Sequence, residues 1–259
     1  MNLSGSVIVV TGAASGIGRA LAHRFTDEGA TCVVVADLDE AGAIEVADTI
    51  GGRAAVLDTS DEQAVIDLIE AVESEVGPIE LWCGNAGIGD PGGVEAPTAE
   101  WNRMWDVNVM AHVFAARSLI PRWTARGSGH LLITASAAGL LTSLGAAPYA
   151  VTKHAAVALA EWIAVTHGDA GVRVSCLCPQ GVRTAMTKGE KVLSIGQVES
   201  LGMLEPEVVA AEVVAALRED RFLILPHPEV AIYEQRRAGD RERWLAGMRK
   251  MQRSLPNAG

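Results

Sequence analysis

The sequence predicts an α/β fold: one domain built on about seven parallel strands, doubly wound, with helices on both faces of the sheet. Three observations predict it. Short β-branched and apolar runs alternate with helix-length amphipathic patterns along the chain, and strands separated by helices imply βαβ units and so a parallel sheet. The first run leads directly into a glycine-rich turn, Thr11 to Gly18, that opens a helix. With 259 residues, 49% hydrophobic and 20% charged, the chain has a globular composition and is long enough to bury a core without disulfide or metal staples.

Taken in order, Ser6–Thr11 is a buried strand by its β-branched composition. Gly18–Glu28 is a helix, with Ile17, Leu21 and Phe25 at helical spacing. Thr31–Ala36 is the second strand, and Asp39 stands where it would cap a helix over Asp39–Ile50. Arg53–Leu57 is a short strand, Ser60–Glu75 a helix capped by Ser60 or Asp61, and Ile79–Cys83 a strand. Thr98–Arg126 is a long helical stretch, one helix or two, with Thr98 as cap and Pro121 as the expected kink. His130–Ala135 is a strand, Ala147–His167 a helix and Val172–Cys178 a strand. Glu205–Asp220 is a helix with Pro206 in its first turn. Phe222–Leu225 is a last short strand, and Glu229–Met251 a charged helix. No linker or repeat interrupts the chain, so residues 1–259 read as one domain. Residues 186–204 show weak periodicity and contain Gly189, Gly196 and Gly202, which makes them the expected substrate lid. Residues 229–255 form a C-terminal helical extension.

Composition excludes several function classes. A formal net charge of −11 opposes nucleic-acid binding, which wants a basic face. The four cysteines, Cys32, Cys83, Cys176 and Cys178, form no C-x-x-C pair, so neither a zinc ribbon nor a dithiol redox site fits, and all four read as reduced thiols. Six scattered histidines form no ligand spacing, and no metal is expected. Met1–Ser6 carries no basic residue, and Val7–Val10 is too short an apolar run for a secretion signal. Leu131–Thr152 is uncharged over the length of a membrane span, yet Gly139, Gly145 and Pro148 break it into strand, turn and loop. No membrane insertion is expected, and the chain reads as cytoplasmic.

The turn Thr11-Gly12-Ala13-Ala14-Ser15-Gly16-Ile17-Gly18 carries the first chemistry. A tight turn wants residues without Cβ. A pyrophosphate wants bare backbone N–H groups at a helix N-terminus, where the dipole favours anions. Gly12 and Gly16 suit the turn and the phosphate approach, and Gly18 the packing of helix on sheet. Set between strand and helix, this is the context of a Rossmann-type dinucleotide site. Asp37 lies 19 residues after Gly18, at the end of the second strand. Its carboxylate can accept from both ribose hydroxyls of an adenosine and would repel a 2′-phosphate. Neither Ala14 nor Ser15 offers a cation to offset that repulsion, so NAD is the expected cofactor. Asp37 can also be a helix N-cap in Asp37-Leu38-Asp39, alongside that role.

The chain has two tyrosines. Tyr149 and Lys153 stand at i and i+4 of a predicted helix and so share a face. An ammonium beside a phenol favours the phenolate and lowers its pKa from about 10, which suits a general acid/base near neutral pH. Ser136, thirteen residues earlier at a strand end, can hold a carbonyl or alkoxide oxygen beside that phenol. Tyr233 has Arg237 at i+4, but Asp220 stands thirteen residues before it.

In this order, Thr11–Gly18, Asp58, Asn85-Ala86-Gly87, Asn108, Ser136, Tyr149 and Lys153 resemble the motifs of the short-chain dehydrogenase/reductase family, over about residues 4–225. The resemblance implies an NAD-dependent oxidoreductase acting on secondary alcohols and ketones, with catalytic Asn108, Ser136, Tyr149 and Lys153. In that family the tyrosine is the acid/base, the lysine lowers its pKa and binds the nicotinamide ribose, the serine orients the substrate oxygen, and the asparagine holds a proton-relaying water. The resemblance implies cofactor contacts at Gly12, Ser15, Gly16, Ile17, Gly18, Asp37, Asp58, Thr59, Asn85, Ala86, Gly87, Tyr149, Lys153, Pro179, Val182 and Thr184, with Asp58 on the adenine side. It also implies a homotetramer. Ala111, Ala115, Ala116, Ala155, Ala156, Ala158 and Ala160 are small enough for close helix packing between subunits. Two departures stand out. Gly84-Asn85 replaces paired asparagines, and Pro179-Gln180 replaces Pro-Gly, which puts Gln180 near the nicotinamide end and the substrate mouth.

The segments expected at the carboxyl edge of the sheet are Ile88–Val94, Leu140–Ala147 and the lid. Leu140, Leu141, Leu144, Met186 and Met203 make that edge apolar. A bulky, apolar secondary alcohol or ketone is therefore the expected substrate, with Arg183 as the evident cation for an anionic one. Trp244, Leu245, Met248 and Met251 sit at helical spacing in the extension and need a cover on their own subunit, on a partner or over the substrate cleft. The alternative function is a catalytically silent NAD(H)-binding regulator of the same fold, against which the intact Tyr149/Lys153 pair speaks. An extended-type epimerase would need a longer substrate domain after the last strand.

Overall fold

Seven parallel strands form one sheet in the order β3-β2-β1-β4-β5-β6-β7 in the computed structural model, which describes residues 1–187 and 202–254. They are β1 (Val7–Thr11), β2 (Cys32–Asp37), β3 (Arg53–Val56), β4 (Ile79–Gly84), β5 (Gly129–Thr134), β6 (Val172–Leu177) and β7 (Leu223–Ile224). The helices between them are α1 (Gly16–Asp27), α2 (Glu40–Ile50), α3 (Glu62–Glu75), α4 (Thr98–Trp105), α5 (Ala111–Arg126), α6 (Ala147–His167) and α7 (Pro206–Arg218). Two more, α8 (Glu229–Gly239) and α9 (Arg241–Arg253), follow the last strand.

Every residue of β1 is buried, because both faces of the sheet are covered. On one face Val9, Trp82, Leu131 and Ile133 join Ile69, Leu119 and Ile163 of α3, α5 and α6. On the other, Ile8, Val10, Leu81 and Leu132 join Leu21 and Phe25 of α1 and Val213 and Leu217 of α7. The winding reverses at β1, whose neighbours are β2 and β4. The register pairs Thr11 with Ala36, and Val10 with both Val35 and Cys83, so the ends of β1, β2 and β4 share one edge. A crevice at that edge is where such sheets bind ligands.

Local signals read from sequence hold at several ends. The Asp39 side chain accepts from Gly42 N at 3.2 Å and caps α2. Asp61, rather than Ser60, caps α3 by accepting from Gln63 N and Ala64 N. Other boundaries differ. The first helix begins at Gly16, two residues before the expected start. The stretch Thr98–Arg126 divides at a π-helical turn, Asp106–Met110, while Pro121 lies inside α5. Thr98 is the first residue of α4 and makes no cap; Pro97 precedes it. The terminal helix is two, because Asp240 breaks from helical geometry and caps α9 by accepting from Arg243 N at 2.9 Å. Most of the expected lid, residues 188–201, lies outside the described residues. Among the described residues, no helix is long and apolar enough to cross a membrane.

Candidate active site

The glycine turn closes against the ends of β4 and β6. Gly12 has φ +64° and Gly16 φ +53°, left-handed values that side chains disfavour. A Cβ on Gly12 would stand 2.8 Å from Ala86 Cα, and one on Gly16 would stand 3.0 Å from Thr184 Cγ2. Gly18, expected to serve helix–sheet packing, instead makes room for the turn itself, since a Cβ there would collide with the Gly12 carbonyl. Thr11 Oγ1 accepts from the backbone N–H groups of Asn85 and Ala86, both at 3.0 Å. Asn85 Nδ2 donates to the carbonyls of Thr11 and Gly12, and its Oδ1 accepts from Thr134 Oγ1. The Asn85 carboxamide is thus engaged in holding the turn, which leaves backbone groups of Asn85-Ala86-Gly87 as the ones a cofactor could meet.

The start of α1 is chemically bare. Ser15 is exposed, its hydroxyl makes no capping hydrogen bond, and no acidic residue lies in the first turn. An anion placed there meets unpaired N–H groups and the positive end of the helix dipole. Ile17 is half-buried beside it. Asp37 sits next door: its Oδ2 accepts from Ala14 N at 2.9 Å and its Oδ1 from Asp39 N at 3.0 Å. Asp37 thus braces the turn, while Asp39 provides the cap of α2, and each Asp37 oxygen keeps a lone pair for a further donor. Asp58, exposed beyond β3, accepts from the backbone N and hydroxyl of Ser60, and Thr59 is buried beside it. Pro179 and Val182 are buried beyond β6, where Val182 pairs with Leu204.

The residues expected to be catalytic form a second cluster. Lys153 is buried, and its Nζ donates to Thr134 O at 3.0 Å and lies 5.7 Å from the centre of the Tyr149 ring. Asn108 is fully buried in the π-helical turn, a local form often found at functional sites. Its Oδ1 accepts from Ile88 N, and its Nδ2 donates to Ile88 O and to Thr152 Oγ1. A Cβ on Gly87 would stand 3.2 Å from both Asn108 Oδ1 and Lys153 Nζ, so Gly87 keeps the space between those two atoms open. Ser136 Oγ accepts from Ala138 N at 3.1 Å and donates to Pro179 O at 3.5 Å.

Burial dominates the electrostatics. It lowers the Lys153 ammonium to a pKa of about 8, against the opposing effect of the nearby Cys178 and Cys176. It raises the Tyr149 phenol above its ordinary value, while the Ser136 hydroxyl facing it acts in the other direction. The spacing alone suggested a phenol lowered by Lys153. In this geometry desolvation outweighs any help from an ammonium that points to the Thr134 carbonyl.

A cavity of about 1060 Å³ opens over Ser136 and Tyr149. As expected, Gly89, Asp90 and Pro91, the Leu141–Ala146 loop, Met186 and Met203 line it. Leu140 does not, because it is buried in the core. The far wall comes from the extension: Tyr233, Arg236, Arg243, Trp244, Met248 and Met251 face the cavity. This answers what the apolar stripe at 244–251 covers, although Leu245 lines a neighbouring recess with Leu141 and Leu144 and stays partly exposed. The stripe was visible in sequence; the two cavity arginines were not, because their charges looked like those of any solvated helix. Arg183 is instead paired with Glu205 and exposed outside the cavity.

Comparison with known proteins adds the following. A family model described as short chain dehydrogenase matches residues 6–192. The chain is 37% identical over 248 residues to 1-deoxy-11-beta-hydroxypentalenate dehydrogenase of Streptomyces avermitilis, covering 93% of this chain and 90% of that one. It is 37% identical over 228 residues to meso-2,3-butanediol dehydrogenase of Serratia marcescens, covering 85% and 90%. The fold matches a solved short-chain dehydrogenase/reductase from Burkholderia phymatum in complex with NAD, with a TM-score of 0.85 at 31% identity over 93% of this chain and 96% of that one.

Proposed function

From the premise that this chain belongs to the short-chain dehydrogenase family and is an oxidoreductase of that family, we propose that it is an NAD-dependent enzyme that interconverts a secondary alcohol and a ketone on a bulky, largely apolar substrate. The observation that carries the proposal is the placing of Tyr149 and Ser136 in the wall of one apolar cavity, with Lys153 and Asn108 buried behind them. A silent regulator of the same fold has no use for that arrangement.

The chain's residues fit the cofactor. The bare N-terminus of α1 and the Cβ-free turn at Gly12 and Gly16, with Thr184 beside it, suit a pyrophosphate. The Asp37 carboxylate suits an unphosphorylated ribose. When bound, NAD supplies the hydride acceptor or donor. Ser136 orients the substrate oxygen toward the phenol. Tyr149 as the phenol gives its proton to the carbonyl oxygen during reduction and is left as the phenolate; in oxidation that phenolate, formed by prior loss of the proton to solvent, takes the carbinol proton. Lys153 places a positive charge behind the phenol, and Asn108 fixes the Ile88 backbone against α6 through Thr152.

Arg236 and Arg243 favour one refinement: the apolar substrate carries a carboxylate remote from the reacting carbon. Among the described residues, neither guanidinium has an ion-pair partner. The test is NADH absorbance with a panel of alicyclic and terpenoid alcohols and NAD⁺, each assayed as the free acid and as its methyl ester. Turnover that prefers the acids supports the refinement. No NADH formation across the panel and with the corresponding ketones in reverse would sink the whole reading.

A further inference from the structure

We propose that Gln180 is a specificity-determining residue whose carboxamide accepts a hydrogen bond from a second hydroxyl of the substrate, carried close to the reacting carbon. The inference rests on the oxidoreductase reading above and deepens it: the preferred substrates are diols and hydroxy ketones, not simple alcohols.

Gln180 stands where the resembling family has glycine. The backbone does not demand glycine here, since Asp220 alone among the described non-glycine residues has positive φ. A side chain is therefore tolerated without strain, and what it does becomes the question. Its backbone N donates to Nδ1 of His227 at 3.1 Å. His227 is buried, and burial lowers its pKa, so the imidazole stays a neutral acceptor that anchors residue 180 to the loop after β7. The preceding residue is just as fixed, because Pro179 O accepts from Ala137 N at 2.9 Å and from Ser136 Oγ at 3.5 Å. Gln180 is thus one peptide away from a carbonyl that touches the hydroxyl facing Tyr149.

Gln180 lines the cavity together with Ser136, Tyr149 and Gly181. Its Oε1 is buried and has no hydrogen-bond partner among the described residues. Buried polar atoms are nearly always paired, and an exception calls for an explanation. An apolar substrate would leave this oxygen unpaired in a drier cavity. A substrate hydroxyl would satisfy it. Because the groups around Ser136 and Gln180 are joined through Pro179, the two substrate oxygens they meet must be near neighbours on one molecule. Sites built around a polar partner discriminate strongly against analogues that lack it.

The experiment compares kcat/KM with NAD⁺ for 1,2-cyclohexanediol (cis and trans) and for cyclohexanol, in wild type, Gln180→Leu and Gln180→Gly. Wild type should prefer the better diol isomer, and both variants should lower the diol-to-cyclohexanol ratio by about tenfold or more. A variant that merely disturbs the loop lowers both substrates together and leaves the ratio intact. An unchanged ratio in both variants, or a wild-type ratio near one, overturns the role of Gln180 while the oxidoreductase reading stands on cyclohexanol turnover. Absence of turnover with either alcohol overturns this inference, and absence across the wider panel as well overturns that reading with it. Gln180→Gly restores the residue usual in the family, so misfolding of the leucine variant does not remove the test.

Discussion

A Cβ on Gly84 would stand 2.5 Å from Nδ1 of His112. The two residues share one volume at the end of β4, and this accounts for a departure visible in sequence, Gly84 in place of the first of two asparagines. His112 is buried on α5, with Nε2 unpaired among the described residues, and burial lowers its pKa to about 3. Gly84→Ala should therefore destabilise the fold by about 1–3 kcal/mol, the usual cost of overpacking. Adding His112→Ser should recover most of that loss. Urea melts of the two single variants and the double variant check the coupling, and additive losses would show that the residues are independent.

Tyr149→Phe should reduce kcat by about 10²–10⁴, the range for loss of a general acid/base. NADH affinity should stay within a few-fold, because the glycine turn and Asp37 lie on other strands. Steady-state kinetics with the best panel substrate and NADH fluorescence titration measure the two quantities. Activity above about a tenth of wild type would contradict the role of the phenol.

Asp37→Ser should narrow the preference for NAD⁺ over NADP⁺, measured as the ratio of kcat/KM values. The substitution also removes the acceptors of Ala14 N and Asp39 N, so the melting temperature should fall even without cofactor. A wild-type preference for NADP⁺ would refute the assignment.

His130 should make the fold acid-sensitive. It is buried, with Nε2 donating to Ser175 Oγ, and burial lowers its pKa from 6.5 to about 4. The unfolded chain takes up a proton below 6.5 that the native imidazole refuses until about 4, so native stability falls as pH drops through that window. The contribution is up to about 3 kcal/mol. In His130→Gln the decline between pH 7 and pH 4 should be shallower by that order, as read from urea midpoints; an identical slope would disprove it.

The chain should be a homo-oligomer that uses an apolar stripe on α6. Ala111, Ala115, Ala116, Ala156 and Ala160, expected between subunits, are buried in the core, because the small faces of α5 and α6 pack on their own sheet. What α6 exposes is Val151, Trp162 and Val165, the last at 85%, with Ala158 in line between them. Trp162→Glu should shift the sedimentation profile toward monomer at micromolar concentration. A wild-type monomer would rule the stripe out as a self-association surface.

The alternation of short apolar runs with helical patterns determined the parallel sheet, since strands buried on both faces leave no other hydrophobic pattern. The site motifs were legible for a related reason: the roles proposed for Gly12, Gly16, Asp37, Tyr149 and Lys153 rest on backbone freedom, charge and local spacing, all of which are written in the chain's own order. Tertiary structure decided the rest, where the controlling quantity is desolvation or contact between distant segments. Burial sets the directions of the Tyr149 and Lys153 pKa shifts against the simple charge-pair expectation. Packing against Thr134 and the Gly12 carbonyl makes the Asn85 carboxamide a brace for the turn and leaves its backbone as the part that can face a cofactor. The break at Asp240 folds α8 and α9 over the cavity and brings Arg236 and Arg243 to its wall. No local pattern encodes that meeting, because a helix face does not record what will lie opposite it until the whole chain has folded.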